Sequence, residues 1–381
     1  MSFIGLGKID KTFIVIIVGC IFCFLNRLLY QADSLLEEIP ILHIIVSSQS
    51  RFLTVIPFII LKIRTKRTTN NNIEMKYTIR EKKRSGLILY DNQKTYVKGK
   101  WKFILLSGII YSVNTTFFAL SLKVKTNAWI WYILIASIFY YLIYKVKLYK
   151  HHILSIILIL LIGIIIDLIK GNIQNEIINK TLLVLSKFMK EIAFSLYNVV
   201  AKYVMEKKYI SVYEFSFYIG LMVIILFTTF AIFDYYFFKI YDYDKYFNNF
   251  NTKELLVIFE VIFTQLGINL TTLFTTKNNT PCHVFIIFVF GQLAYYVNFD
   301  TFENIHILII ILLVIILFLS LIFNEIIEIN IFGLSHNTKR NIVNRAMKEG
   351  ESRIDDSSEV SEGDLEIDNY FVELKYKEVD E

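Results

Sequence analysis

The chain has 381 residues, 55% of them apolar, a formal net charge of +6 and a mean hydropathy of +0.52. In a soluble protein of this length about half the residues are apolar and serve two or three cores. Here the apolar excess lies in blocks near the ~20 residues that cross a hydrocarbon layer, which excludes a soluble globular protein. The three cysteines exclude a disulfide framework.

Taken in chain order, ten blocks predict membrane helices at 12–30, 39–61, 103–122, 126–144, 151–169, 182–205, 212–233, 254–276, 282–299 and 305–327. The fold class expected is therefore an all-α membrane protein of about ten transmembrane helices. The first block reads as a retained helix, because its apolar run is long and no small-residue cleavage site follows it. Cys20 and Cys23 form a C-x-x-C inside that helix and read as packing residues. The segment 62–102 carries thirteen Lys/Arg, and cations near span ends are retained in the cytosol. That loop and residues 1–11 are thus expected inside, and an even span count returns the tail to the same side. Lys145, Lys147 and Lys150 then fall inside, whereas Asp33–Glu38 and the 234–250 loop fall outside. The tail 328–381 is basic over Asn337–Glu349, and Glu349–Glu381 holds thirteen acids against three bases, a composition expected to be disordered. Ser361 stands in a context suited to an acid-directed kinase, and Asn179 heads a sequon in an external loop close to the membrane.

Several spans have a polar side at helical spacing. Span 2 carries His43, Ser47, Arg51 and Thr54, with Arg51 near mid-membrane. Span 6 carries Lys187, Glu191, Ser195, Asn198 and Lys202, with Lys190 beside them. Span 3 offers Ser107, Tyr111, Asn114 and Ser121, span 8 offers Glu260, Thr264, Gln265 and Asn269, and span 9 offers Gln292, Tyr295 and Tyr296. A charge in hydrocarbon costs about 2.5 kcal/mol or more, so it survives where a cavity or partner receives it. Spans 5 and 10 are apolar all round and are expected to face lipid or a second subunit, making a homodimer through these helices one arrangement. They close two groups of five, 12–169 and 182–327, which suggests two inverted five-helix repeats with a site at their interface, as in secondary transporters.

Plainer roles stand beside these. Lys202 can snorkel to the cytoplasmic surface, Lys187 can sit near the outer interface, and Glu191 can neutralise Lys187 one turn away. Arg51 has no interface within reach, so it lines a cavity, grips substrate or holds a gate. Four cations, Arg51, Lys187, Lys190 and Lys202, face two carboxylates, Glu191 and Glu260. The balance favours an anionic solute, with Arg51 as a bidentate grip. Glu260 is then a proton-coupling site or a partner for Arg51. The opposing reading pairs Arg51 with Glu260 as a structural lock around a neutral or zwitterionic solute.

Read together, these segments resemble the drug/metabolite transporter superfamily, which includes EamA-type and nucleotide-sugar transporters. The string SQSRFLTVIPFIIL resembles its Arg-Phe followed by an apolar run, at Arg51 and Phe52. WKFILLSGIIYSVNTTFFALSLKVKTNAWIWYILIASIFYYLI is similar to its pattern of a small-residue helix, Ala-Leu, a short turn and the next helix, with Ala119, Leu120 and Ala128 at the matching places. The stretch Ser195 to Gly220 looks like the junction after its sixth helix. The likeness covers roughly residues 12–330, lacks the family's proline in the fourth helix, and has few of its glycines in the eighth and ninth. It implies a transporter working by alternating access.

The site expected is built from Arg51, Ser47, Asn114, Tyr111, Lys187, Glu191, Asn198, Glu260, Gln265, Gln292 and Tyr295. Its partners are a small-molecule solute and membrane lipid, with no nucleic acid, metal or cofactor implied. A membrane enzyme is the alternative, but the six histidines are scattered, and His151 and His152 are expected at the cytoplasmic surface of span 5. A receptor or scaffold is supported only by the charged loop and tail.

Overall fold

A computed structural model describes residues 4–6, 11–30, 40–69, 100–121, 128–146, 148–169, 181–208, 210–238, 252–296 and 304–329. Residues 70–99 of the basic loop and 330–381 of the charged tail, on which part of the topology rests, lie outside these residues, whereas Lys62, Arg64, Lys66 and Arg67 extend the helix that ends at Thr69.

The described residues are almost wholly helical. In chain order the helices are α1 (Lys11–Tyr30), α2 (Pro40–Phe52), α3 (Val55–Thr69), α4 (Lys100–Ser121), α5 (Trp131–Tyr144), α6 (Lys150–Ile169), α7 (Thr181–Lys207), α8 (Val212–Phe233), α9 (Thr252–Asn278), α10 (Val284–Tyr296) and α11 (Asn304–Phe323). Short 3-10 turns, Ala128–Ile130 and Pro281–His283, open α5 and α10, and a π turn, Asp234–Phe238, ends α8. One two-stranded antiparallel sheet joins β1 (Ile4–Leu6) to β2 (Ile327–Ile329), with Ile4 opposite Ile329.

Four segments, Lys150–Ile169, Val212–Phe237, Ile258–Asn278 and Ile305–Phe323, are long and apolar enough to cross a membrane, and the fold is that of a helical membrane protein. A bilayer offers no water to backbone groups, so each apolar run satisfies them within its own helix. The outer faces of α6 and α11 confirm that solvent. Ile153, Ile157, Leu161, Ile164 and Leu168 of α6 and Ile307, Ile311, Val314 and Phe318 of α11 are exposed. The opposite faces, with Ser155, Ile159, Gly163 and Ile166 on one helix and Ile309, Leu313, Ile316 and Ser320 on the other, are buried where the two helices pack together. Helices that look apolar all round thus have a definite inside.

Packing elsewhere is by close approach, because lipid tails compete equally for any apolar side chain. α1 lies against α9 and α10, and α7 lies against α4 and α5. A Cβ on Gly19 of α1 would stand 2.9 Å from Thr271 Oγ1 and 2.8 Å from Ile287 Cδ1, so these three helices meet through a missing side chain. α2 packs on α8 and α9, α8 also on α4, and α7 on α9. Two large apolar cores result, beside a smaller cluster of Ile16, Cys20, Ile286 and Ile287 between α1 and α10. One is formed by α5, α6, α10 and α11 around Ile133, Ile159, Phe285 and Ile316; the other by α2, α4, α7 and α8 around Ile44, Tyr197, Val204 and Phe215.

The second predicted span is not one helix. α2 ends at Phe52, Leu53 and Thr54 form a turn, and α3 continues to Thr69. Pro57 is the cause: it has no N–H for the Leu53 carbonyl, and its ring crowds that carbonyl. The Leu53 carbonyl accepts instead from Ile56 N–H at 3.2 Å. The Arg51 carbonyl takes Thr54 N–H at 3.2 Å and the Thr54 hydroxyl at 2.5 Å.

Candidate functional site

The helix break sets Arg51 in the last turn of α2, where the C-terminal dipole favours a cation. A Cβ on Gly220 of α8 would lie 2.7 Å from Arg51 Cβ and 2.8 Å from Phe52 N, so α8 runs backbone to backbone against the break. The same Thr54 hydroxyl also lies 3.1 Å from the Tyr213 carbonyl, so its single proton is shared between the Arg51 and Tyr213 carbonyls and the break sits against the start of α8.

The Arg51 side chain points inward and is 2% exposed. Its guanidinium carbon stands 4.2 Å from the centre of the Tyr111 ring of α4 and 5.6 Å from that of Tyr197 of α7. Nη1 donates to Tyr197 Oη at 3.1 Å, and the two tyrosine rings lie 4.8 Å apart. Among the described residues no carboxylate comes within ion-pairing distance of this guanidinium, and Nε has no hydrogen-bond partner. Desolvated cation–π contacts supply about 2 kcal/mol. Burying the charge costs about 2.5 kcal/mol on insertion scales and several kcal/mol by other measures. The rings soften the penalty without cancelling it, so the site is electropositive and short of an acceptor.

Further polar groups surround it. Ser50, next to Arg51, accepts from Asn269 Nδ2 of α9 at 2.9 Å. On the other face of α7, Asn198 Nδ2 donates to Tyr132 Oη of α5 at 3.0 Å, and Tyr132 donates to the Pro281 carbonyl at the start of α10 at 2.9 Å. The Oδ1 atoms of Asn114 and Asn198 are buried and unbonded. Residues of α2, α4, α5, α7, α9 and the turn before α10 are thus linked by polar side chains across the bundle.

The remaining predicted residues divide. Glu191 is buried, at 1% exposure, and its Oε1 is 2.6 Å from the ammonium of Lys190, its neighbour in sequence, rather than reserved for Lys187. Lys187, Gln265 and Gln292 are half-buried, while the side chains of Ser47 and Tyr295, like that of His43, lie outside the described residues. Glu260 is a correction. Its side chain is exposed beside the exposed Phe259 and Phe263 of α9, and no ion pair joins it to Arg51. The Arg51–Glu260 lock of the opposing reading is therefore not formed.

Lys202 does not snorkel freely. Its ammonium donates to the Asn279 carbonyl at 2.6 Å, the Lys277 carbonyl at 3.2 Å and the Thr276 carbonyl at 3.3 Å, and pairs with Glu206 Oε1 at 2.5 Å. Those carbonyls are the open end of α9, so the lysine caps a helix terminus that has no further N–H to receive it. Tyr144 Oη at the end of α5 donates to Glu206 Oε2 at 3.1 Å. The ends of α5, α7 and α9 are clamped by one charged cluster. The residues that reasoning from sequence missed are Tyr197, Tyr132 and Glu206; among 24 tyrosines and 34 acids nothing in their spacing marks them out.

No family model matches the chain, and no curated protein is significantly similar to it.

Proposed function

We propose that the protein is a transporter that moves a small anionic metabolite across a membrane by alternating access. In this reading ten units span the bilayer, α2 and α3 together forming the second, with both termini in the cytosol and two inverted five-helix repeats. The contact pattern supports the repeat. Exchanging the first five units for the last five turns the pairs α1 with α9 and α10 into α7 with α4 and α5, and α2 with α9 into α8 with α4. It leaves α2 with α8 and α6 with α11 unchanged, and every one of these pairs is in contact. The fourth and ninth units also each open on a 3-10 turn. Such symmetry, with an interrupted helix at the repeat interface, is the architecture of secondary transporters. The likeness of residues 12–330 to the drug/metabolite transporters points the same way.

The observation that carries the anionic substrate is Arg51: a fully buried guanidinium, flanked by two tyrosines and unmatched by any described carboxylate. A phosphate or carboxylate supplied by the solute completes it, through two parallel hydrogen bonds that a lysine cannot reproduce.

Counterflow into proteoliposomes, with phosphorylated sugars, nucleotide-sugars, amino acids and nucleosides in turn, tests this. Anions should exchange, Arg51→Lys should raise KM about tenfold or more, the equivalent of about 1.4 kcal/mol, and Arg51→Gln should abolish uptake while the protein still inserts. Exchange of neutral solutes alone, or unimpaired anion uptake by Arg51→Lys, overturns the reading.

A further inference from the structure

We propose that His151, His152 and Glu325 form a binding site for a first-row divalent cation, zinc fitting best, where the start of α6 meets the chain just beyond α11. The inference is independent of the transport reading.

The histidines, expected at the surface, are not there. His151 is 4% exposed, and His152 and Glu325 are half-buried beside it. The two imidazole rings lie 3.9 Å apart, and both aim Nε2 at the same carboxylate oxygen, Glu325 Oε1, at 3.3 Å for His151 and 3.9 Å for His152. One ligand atom from each of the three residues lies within 4.8 Å of the others. Zinc–nitrogen and zinc–oxygen bonds of about 2.0–2.1 Å in a tetrahedron put neighbouring ligand atoms about 3.4 Å apart. The His151–Glu325 edge already has that length, and a small rotation of the His152 ring brings in the second.

A structural role explains His152 but not His151. His152 Nδ1 accepts the Tyr149 backbone N–H at 3.2 Å, capping the start of α6 just as His283 Nδ1 accepts the Thr280 N–H at 3.3 Å at the start of α10. His151 makes no such bond. Its Nδ1 and Nε2 are both buried without a hydrogen-bond partner, and the approach to Glu325 lacks hydrogen-bond alignment. A buried imidazole with two idle nitrogens costs free energy in any arrangement that leaves it so. A cation bound at Nε2 removes half of that deficit and is attracted by the neighbouring carboxylate. Two imidazoles and one carboxylate are a ligand set that zinc takes with a fourth position open to water.

The cap fixes what binding must do to His152. With Nδ1 accepting from Tyr149, the ring's proton in its neutral form sits on Nε2, facing Glu325. Coordination by Nε2 moves that proton to Nδ1 and releases the Tyr149 amide, which at a helix start can turn to solvent. Cation binding therefore loosens the first turn of α6 while fixing its side chains to the segment that leads into β2, and thus to the N-terminal strand paired with it.

The test uses the full chain, purified without a polyhistidine tag and titrated with Zn2+ and Co2+. One tight ion per chain is expected, with the intense visible absorption of tetrahedral cobalt and faster hydrogen exchange of the Tyr149 amide. Glu325→Gln and His151→Ala should each weaken binding at least tenfold, and affinity should fall as pH is lowered because protons compete for the imidazoles. Absence of saturable binding, an octahedral cobalt spectrum, or undiminished affinity in Glu325→Gln overturns the proposal. Should His151→Ala not yield folded protein, Glu325→Gln, at the more exposed edge of the cluster, decides alone.

Discussion

The two helical cores are built to different rules. Around Ile133, Ile159, Phe285 and Ile316, the core of α5, α6, α10 and α11 is filled with aliphatic and aromatic side chains, with small buried polar residues such as Ser137, Ser155 and Ser320 among them. The core of α2, α4, α7 and α8 is adjoined by buried Arg51, Ser107, Asn114 and Ser216, while Ser195 and Asn198 of α7 face Tyr132 at the border between the two cores. Since apolar packing inside a membrane earns little over lipid, the first group holds together by shape, whereas the second holds groups that hydrocarbon rejects. A chain keeps such groups where they serve something other than cohesion, so the polar half is where solute is expected and the apolar half is its frame.

That division can be broken by substitution. The largest effect is expected from Gly220→Val, which puts three carbon atoms where a single Cβ already lies 2.7 Å from Arg51 Cβ. Overpacking of this kind costs about 1–3 kcal/mol, but here it displaces Arg51, so under the proposed transport function solute exchange should fall by more than tenfold in protein that still inserts. Measured exchange near the wild-type rate would show that the backbone contact at the break is immaterial. Ile316→Ala in the apolar half should cost about 2–4 kcal/mol of thermal stability through a cavity, yet leave KM within twofold. A rise in KM matching that of Gly220→Val would erase the distinction between the halves.

The smallest effect is expected from Lys202→Met. Removing the ammonium strips the last carbonyls of α9 of their donor, at about 1–3 kcal/mol, although Glu206, a third exposed, stays hydrated. If the clamp closes one side of the pathway, cysteines placed at Tyr144 and Asn279 should react faster with a water-soluble maleimide in the variant. Unchanged reaction rates would assign Lys202 to helix capping alone.

Much of this was legible from residue spacing. Polar residues at steps of three and four within apolar runs pointed to Arg51, Asn114 and Asn198, because a helix that must hide polar groups hides them on one side. The helix limits fell close to the structure for the same reason: apolar runs end where water begins. The break at Leu53–Thr54 had its signal in Pro57, which a count of apolar residues overlooks. Glu260 misled because a polar residue at helical spacing was taken to face inward, whereas its side chain is exposed beside Phe259 and Phe263. Tyr197 and Tyr132 were hidden by their own chemistry, since a phenol reads as an aromatic packing group until its hydroxyl is seen to bond Arg51 or Asn198. The Glu325 contact with His151 and His152 joins residues far apart in sequence, and no local pattern encodes it.

The interruption of the second span also bears on speed. Bending a continuous helix severs backbone bonds in a medium that offers no substitute, and that penalty would stand in the barrier of any rocking motion. At Leu53–Thr54 the ladder is already open, since Pro57 supplies no hydrogen to lose. A swing of α3 about Thr54 disturbs the two bonds that close the break, Thr54 N–H to Arg51 and Ile56 N–H to Leu53, and the contact of the Thr54 hydroxyl with the Tyr213 carbonyl, while the helical ladders on either side stay whole. The joint beside Arg51 can thus flex with a low activation enthalpy, and turnover should depend only weakly on temperature where this motion limits the cycle.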